Sequence, residues 1–150
     1  MKKMLSILNA VGTFLETKGK CPYLLILRVS LALVFVPTGW GKLHNLEKVI
    51  EFFGSLGIPM PQIQAPFVAG LEFVGGLLIL AGLGSRVFSV LLSFTMVVAI
   101  ATAKWADFGS WIELFGSEEY LLFLGLWCIV IFGPGQLSLE YLFFKKKSFL

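Results

Sequence analysis

Four blocks of apolar residues, each near the length needed to cross a bilayer, dominate this sequence. A hydrocarbon core about 30 Å thick takes about 20 mostly apolar residues in a helix. The blocks run over residues 23–43, 66–84, 87–104 and 120–133. Of the 150 residues, 57% are hydrophobic and 14% charged, and the mean hydropathy is +0.89. Soluble domains average about 45–50% apolar and about 25% charged. The expectation is therefore one all-α integral membrane domain over 1–150, a bundle of four transmembrane helices with short interfacial helices. Four crossings leave no length for a separate soluble domain.

Local signals place the ends of these spans. Pro22 suits the start of the first, and Pro37 inside it removes a backbone hydrogen bond, which predicts a kink near Leu33. Residues 44–65 read as a loop holding a short helix, EKVIEFFGSL, stopped by GIPMP, where Pro59 and Pro61 favour extended chain. Gly70, Gly75 and Gly76 in the second span permit close helix contact. The turn at Gly84, Ser85 and Arg86 is short, so the second and third spans are antiparallel neighbours. Residues 104–119 read as a second long loop. The fourth span is short and meets Gly133-Pro134-Gly135, which favours an early end followed by a segment along the interface. Near the N-terminus, Leu5, Leu8, Val11 and Leu15 recur at helical spacing. The run is too interrupted for a secretory signal; it reads as an amphipathic surface helix over 4–17 or, as the plainer alternative, a frayed tail.

Basic residues set the orientation. Lys2, Lys3, Lys18, Lys20, Arg86, Lys145, Lys146 and Lys147 fall on one side of the spans, and Lys42, Lys48 and Lys104 on the other. The termini are thus expected in the cytoplasm. The net charge of +3 reads as a topology signal; no basic stripe or stacking platform points to nucleic acid, and the bilayer is the expected partner. His44 is the one histidine, which excludes the usual two-histidine metal and haem sites, so no metal is expected.

Charges inside spans are costly and therefore informative. Arg28 is expected about 8 Å from the cytoplasmic edge and Glu72 about 9 Å below the outer edge, too far apart in depth to pair. Lys42 and Lys104, at the outer ends of spans one and three, can reach Glu72, with His44 and Asp107 at a similar level and Trp40, Trp105 and Trp111 around them. These residues form a candidate outward-facing polar cluster. On the inner side, Arg28 can meet Glu140 or the carbonyls freed at Gly133, Pro134 and Gly135, with Arg86 nearby. Each has a structural alternative: Arg28 can snorkel, tryptophans commonly anchor interfaces, and Cys128 is a small apolar filler.

At these residues the sequence resembles the DoxX family of small membrane proteins. The likeness rests on LRVSLALVFVPTGWGKL, GIPMP, LEFVGGLLILAGLGSR and GPGQLSLE. The family typically closes with a Gly-Pro-Gly, Ser-Leu, acid pattern. Glu140 stands where the acid is usually Asp, and Gln136 replaces a common basic residue. The resemblance implies a four-helix inner-membrane protein. About activity it implies less: some members look like subunits of quinone-linked oxidoreductases and others like partners of redox-defence enzymes. The leading expectation is a membrane subunit of a redox assembly that binds a quinone or another lipid-soluble molecule at the outer cluster. The chain encodes no electron carrier of its own, so a redox-enzyme partner would supply or accept electrons. Two alternatives stand beside this: a small transporter or channel component, which at this size requires a homo-oligomer, and a non-catalytic scaffold for a redox-defence or stress partner.

Overall fold

The computed structural model describes residues 20–104 and 111–147, with side chains for 22–103 and 111–143. The helix expected over 4–17 lies outside the described residues. Those described are helical, with no strand among them. Helix α1 is Lys20–His44, α2 Leu46–Ser55, α3 Pro61–Ala81 and α4 Ser85–Ala99, which widens into a π-helical turn at Ile100–Lys104. Then come α5 Trp111–Gly116, α6 Glu118–Phe132 and α7 Leu139–Lys147. Among the described residues, three helices are long and apolar enough to cross a membrane: Pro22–His44, Pro61–Ala81 and Ser85–Ala103. Helix α6 has 15 residues, short of that length.

Several boundaries differ from the sequence expectation. Helix α3 begins at Pro61, and Pro66 lies inside it. Pro61 occupies the first helical position, where a missing N–H matters least. Met60 makes the turn by adopting a left-handed conformation, φ 52°, so GIPMP launches a helix as well as ending one. Helix α5 forms within the stretch read as loop. Helix α1 runs continuously through Pro37. Beside the disrupted turn, the Thr38 hydroxyl donates to the carbonyls of Val34 and Phe35 at 2.9 and 3.1 Å. Helix α6 stops at Phe132, and Gly133 turns the chain with φ 77°.

Helices α1 and α3 share the most extensive contact, followed by α4 with α6; α3 also packs on α4, and α1 on α6. The shared core holds Leu31 and Phe35 of α1, Ile79 of α3, Leu92 and Met96 of α4, and Leu126 and Ile129 of α6. Large apolar side chains such as Leu33, Phe67, Phe94 and Ile131 are exposed on the outside, as lipid contact requires and water would penalise.

Close approach of α1 and α3 depends on missing side chains. A Cβ on Gly39 would lie 2.4 Å from the Phe73 backbone nitrogen, and one on Gly76 would lie 2.9 Å from Val36 Cγ2. Gly75 faces α4 instead, meeting Leu92 and Phe88, and Gly70 meets nothing. The packing role expected of Gly70 is therefore corrected: its face of α3 carries no neighbour among the described residues.

Arg28 is 2% exposed and does not snorkel. Its terminal nitrogens donate to the carbonyls of Pro134 and Leu137, both at 2.8 Å. The loop after α6 is thereby tied to α1. It is tied also to the α3–α4 turn, since the Glu140 N–H donates to Gly82 O at 3.2 Å and the Gly84 N–H donates to Glu140 Oε2 at 3.1 Å. Ser138 caps α7 by accepting from the Tyr141 N–H. Gly82, at φ 73°, leaves the space that Arg28 Nη1 fills, 2.4 Å from where a Cβ would stand.

Candidate functional site

The second buried charge lies toward the other end of α1. Glu72 is 2% exposed and sits about eleven residues, roughly 16 Å, along α3 from Pro61. That is deeper than a span starting at Pro66 implies. Lys42, near the end of α1, pairs with Glu72 Oε1 at 2.5 Å. The Lys42 side chain is 35% exposed, so the pair joins a buried acid to a base at the rim. Glu72 Oε2 is buried and has no hydrogen-bond partner among the described residues. A buried polar atom left unpaired costs about 1–3 kcal/mol, which makes this oxygen the least settled feature of the helix core.

Lys42 and Glu72 both line a cavity of about 560 Å³. That volume is within the about 300–1,000 Å³ range of small-molecule sites. Helices α2, α3 and α4 supply the walls, mainly through aromatic and aliphatic side chains such as Phe52, Phe53, Phe67, Leu71, Phe94 and Met96. Phe52, Phe67 and Phe94 are also exposed, so the cavity is continuous with the apolar outer surface. Lys48, Gln64, Thr95 and Thr102 add polar groups. Thr102 belongs to the π-helical turn that ends α4; such turns interrupt the regular ladder and recur at functional sites.

Each part has a local origin. Helix α2 is amphipathic, with Val49, Phe52 and Phe53 on the cavity side, and none of its residues is fully buried. Gly39 draws α1 onto α3, three residues before Lys42, and brings the ammonium within reach of Glu72.

The remaining candidates are placed as follows. His44 Nδ1 lies 3.0 Å from Trp40 O, and the two rings stack with centroids 4.2 Å apart. Trp40 also meets Phe73, centroids 5.3 Å apart. Neither Trp40 nor His44 lines the cavity. Both are offset by two residues from Lys42 and so project from a different face of α1. Lys104 ends the π-helical turn, with its side chain outside the described set. Trp105 and Asp107 lie outside the described residues.

At the opposite end, Arg86, Gly133, Pro134, Gly135 and Glu140 line a shallower concavity of about 410 Å³. The Arg86 guanidinium lies over Gly133, Nη2 3.0 Å from the position of a Cβ there. Sequence reasoning missed the aromatic walls and the π-helical turn. The walls come from three helices, and only the amphipathic pattern of residues 46–55 hinted at them.

Comparisons with known proteins place the chain among relatives. The DoxX family model matches residues 23–105, which contain most of α1, all of α2 to α4, and both Lys42 and Glu72. The Gly133–Glu140 pattern lies beyond that match. A Bacillus subtilis (strain 168) protein named "Putative oxidoreductase CatD" is 36% identical over 126 residues, 83% of this chain and 89% of its own. Two Escherichia coli (strain K12) proteins are similar as well. Inner membrane protein YphA is 27% identical over 78% of this chain and 87% of its own. Inner membrane protein YqjF is 28% identical over 81% and 92%. No solved structure matches. With the family model covering the helices that carry the buried pair, and a relative this similar along most of both chains, the protein belongs to the DoxX family.

Proposed function

We propose that this chain is an inner-membrane subunit of a quinone-linked redox process and that its cavity holds the ligand. A lipid-soluble molecule would enter sideways between α3 and α4. It would lay its apolar part along Phe67 and Phe94 and its polar end against Lys42 and Glu72. The observation that carries this reading is the buried, half-paired glutamate at the wall of an apolar cavity. The name of the Bacillus subtilis relative, an oxidoreductase, supports the redox context.

In this reading the chain crosses four times. Helix α6 rises about 22 Å, and the chain flanking it completes the fourth crossing. Lysine and arginine placement puts the termini, Arg86 and the Arg28 clasp on the cytoplasmic side, with Lys42 and Glu72 opening outward. The chain binds and orients; a partner enzyme exchanges the electrons.

The test is native mass spectrometry of the protein purified in mild detergent, with the bound lipids extracted and identified, repeated on Glu72→Gln. A co-purifying quinone that is lost in the variant is the expected result. A quinone retained equally by both would move the site elsewhere. None in either, with a soluble enzyme captured instead, would favour a scaffold.

A further inference from the structure

The polar end of the cavity is asymmetric in hydrogen-bonding chemistry. Its deep group, Glu72, has one oxygen committed to Lys42 and one oxygen without a partner among the described residues. Paired with an ammonium, that carboxylate can only accept. The donor, Lys42, stands at the partly exposed rim, where water and headgroups can take up its remaining N–H groups. A ligand seated deeply must therefore bring a donor.

From this we infer that the site selects the hydroxyl-bearing, reduced form of an aromatic lipid-soluble carrier, a quinol, over the corresponding quinone. The inference rests on the proposed function and deepens it. A quinol hydroxyl donates to Glu72 Oε2 and can still accept from Lys42. A quinone carbonyl can accept from Lys42 but turns a lone pair toward a buried carboxylate oxygen that has no donor among the described residues. The terminal glutamate torsion is soft, so a modest rotation of the carboxylate presents Oε2 to the cavity while Lys42 follows. A hydrogen bond to a charged group is worth about 1.5–3 kcal/mol, about a 10- to 100-fold preference in binding. A subunit of this kind takes up quinol from the bilayer for a reaction that consumes it, or retains quinol made by its partner.

The experiment uses the full chain in lipid nanodiscs under anaerobic conditions. A decyl-tailed benzoquinone and its quinol are titrated separately by calorimetry, the quinol kept reduced with dithionite. Quinol binding at least about tenfold tighter than quinone is expected. Glu72→Gln should collapse the difference by weakening quinol binding to the level of quinone or below, because a neutral amide oxygen accepts far more weakly than a carboxylate. Ala99→Trp, which fills the cavity from the wall supplied by α4, should abolish both. Equal binding, or tighter quinone binding, overturns the selectivity and leaves the cavity reading in place. Binding of neither form overturns both. Selective binding that survives Ala99→Trp places the preference outside this cavity and overturns the assignment to Glu72. The wild-type comparison decides selectivity even if Glu72→Gln fails to fold.

Discussion

Arg28 and Glu72 are equally buried yet occupy opposite situations. At one end, the terminal nitrogens of Arg28 reach two carbonyls, released where α6 stops at Gly133-Pro134-Gly135. The charge closes a backbone problem, and the loop in turn holds the α3–α4 turn through Glu140. At the other end, Glu72 has one oxygen engaged and one without a partner among the described residues, beside open apolar space. The first charge is spent on structure and the second keeps capacity in reserve. A buried ionised group signals function most strongly where its hydrogen bonds are incomplete and a cavity adjoins it.

That contrast can be broken in order of expected effect. Arg28→Met removes both donors and leaves two carbonyls unsatisfied, which should lower stability by about 3 kcal/mol or more. Thermal unfolding in detergent reads this, and a wild-type melting curve would deny Arg28 its structural role. Gly39→Leu pushes side chain into the α3 backbone and should cost about 1–3 kcal/mol. It should also separate Lys42 from Glu72 and weaken ligand binding, whereas a variant with full binding would mean that the pair does not depend on the α1–α3 approach. Glu72→Gln should change stability by less than about 1 kcal/mol, because Lys42 can turn outward to water. Its expected phenotype is lost ligand binding. A collapse in stability comparable to that of Arg28→Met would make both charges structural. Gly70→Ala, on a face with no neighbour, should be neutral or stabilising by about 0.5 kcal/mol. Destabilisation there would reveal a contact made by a partner or a second copy.

Much of the helix plan was legible in the residues. The apolar blocks announced helices α1, α3, α4 and α6, the Gly84–Arg86 turn made α3 and α4 antiparallel, and Gly133-Pro134-Gly135 marked the end of α6. Proline was harder to read. Pro61 looks like a loop residue and Pro66 like a start, because local preference does not reveal which proline a left-handed Met60 will place at the first helical position. Glycine misled in the same way: Gly70 and Gly76 look equivalent in sequence, but only Gly76 faces α1.

The candidate site divides along the same line. Composition and the bilayer's intolerance of unpaired backbone determined that this chain forms apolar helices, and the rarity of intramembrane charge singled out Arg28, Lys42 and Glu72. Only the tertiary structure decided which groups those charges meet. Partner choice depends on helix rotation and close approach, set here by Gly39, Gly76 and Gly82 against neighbours distant in sequence. Trp40 and His44, two residues from Lys42 on either side, turn away from the cavity, while Phe94 and Met96, more than fifty residues away, help to enclose it.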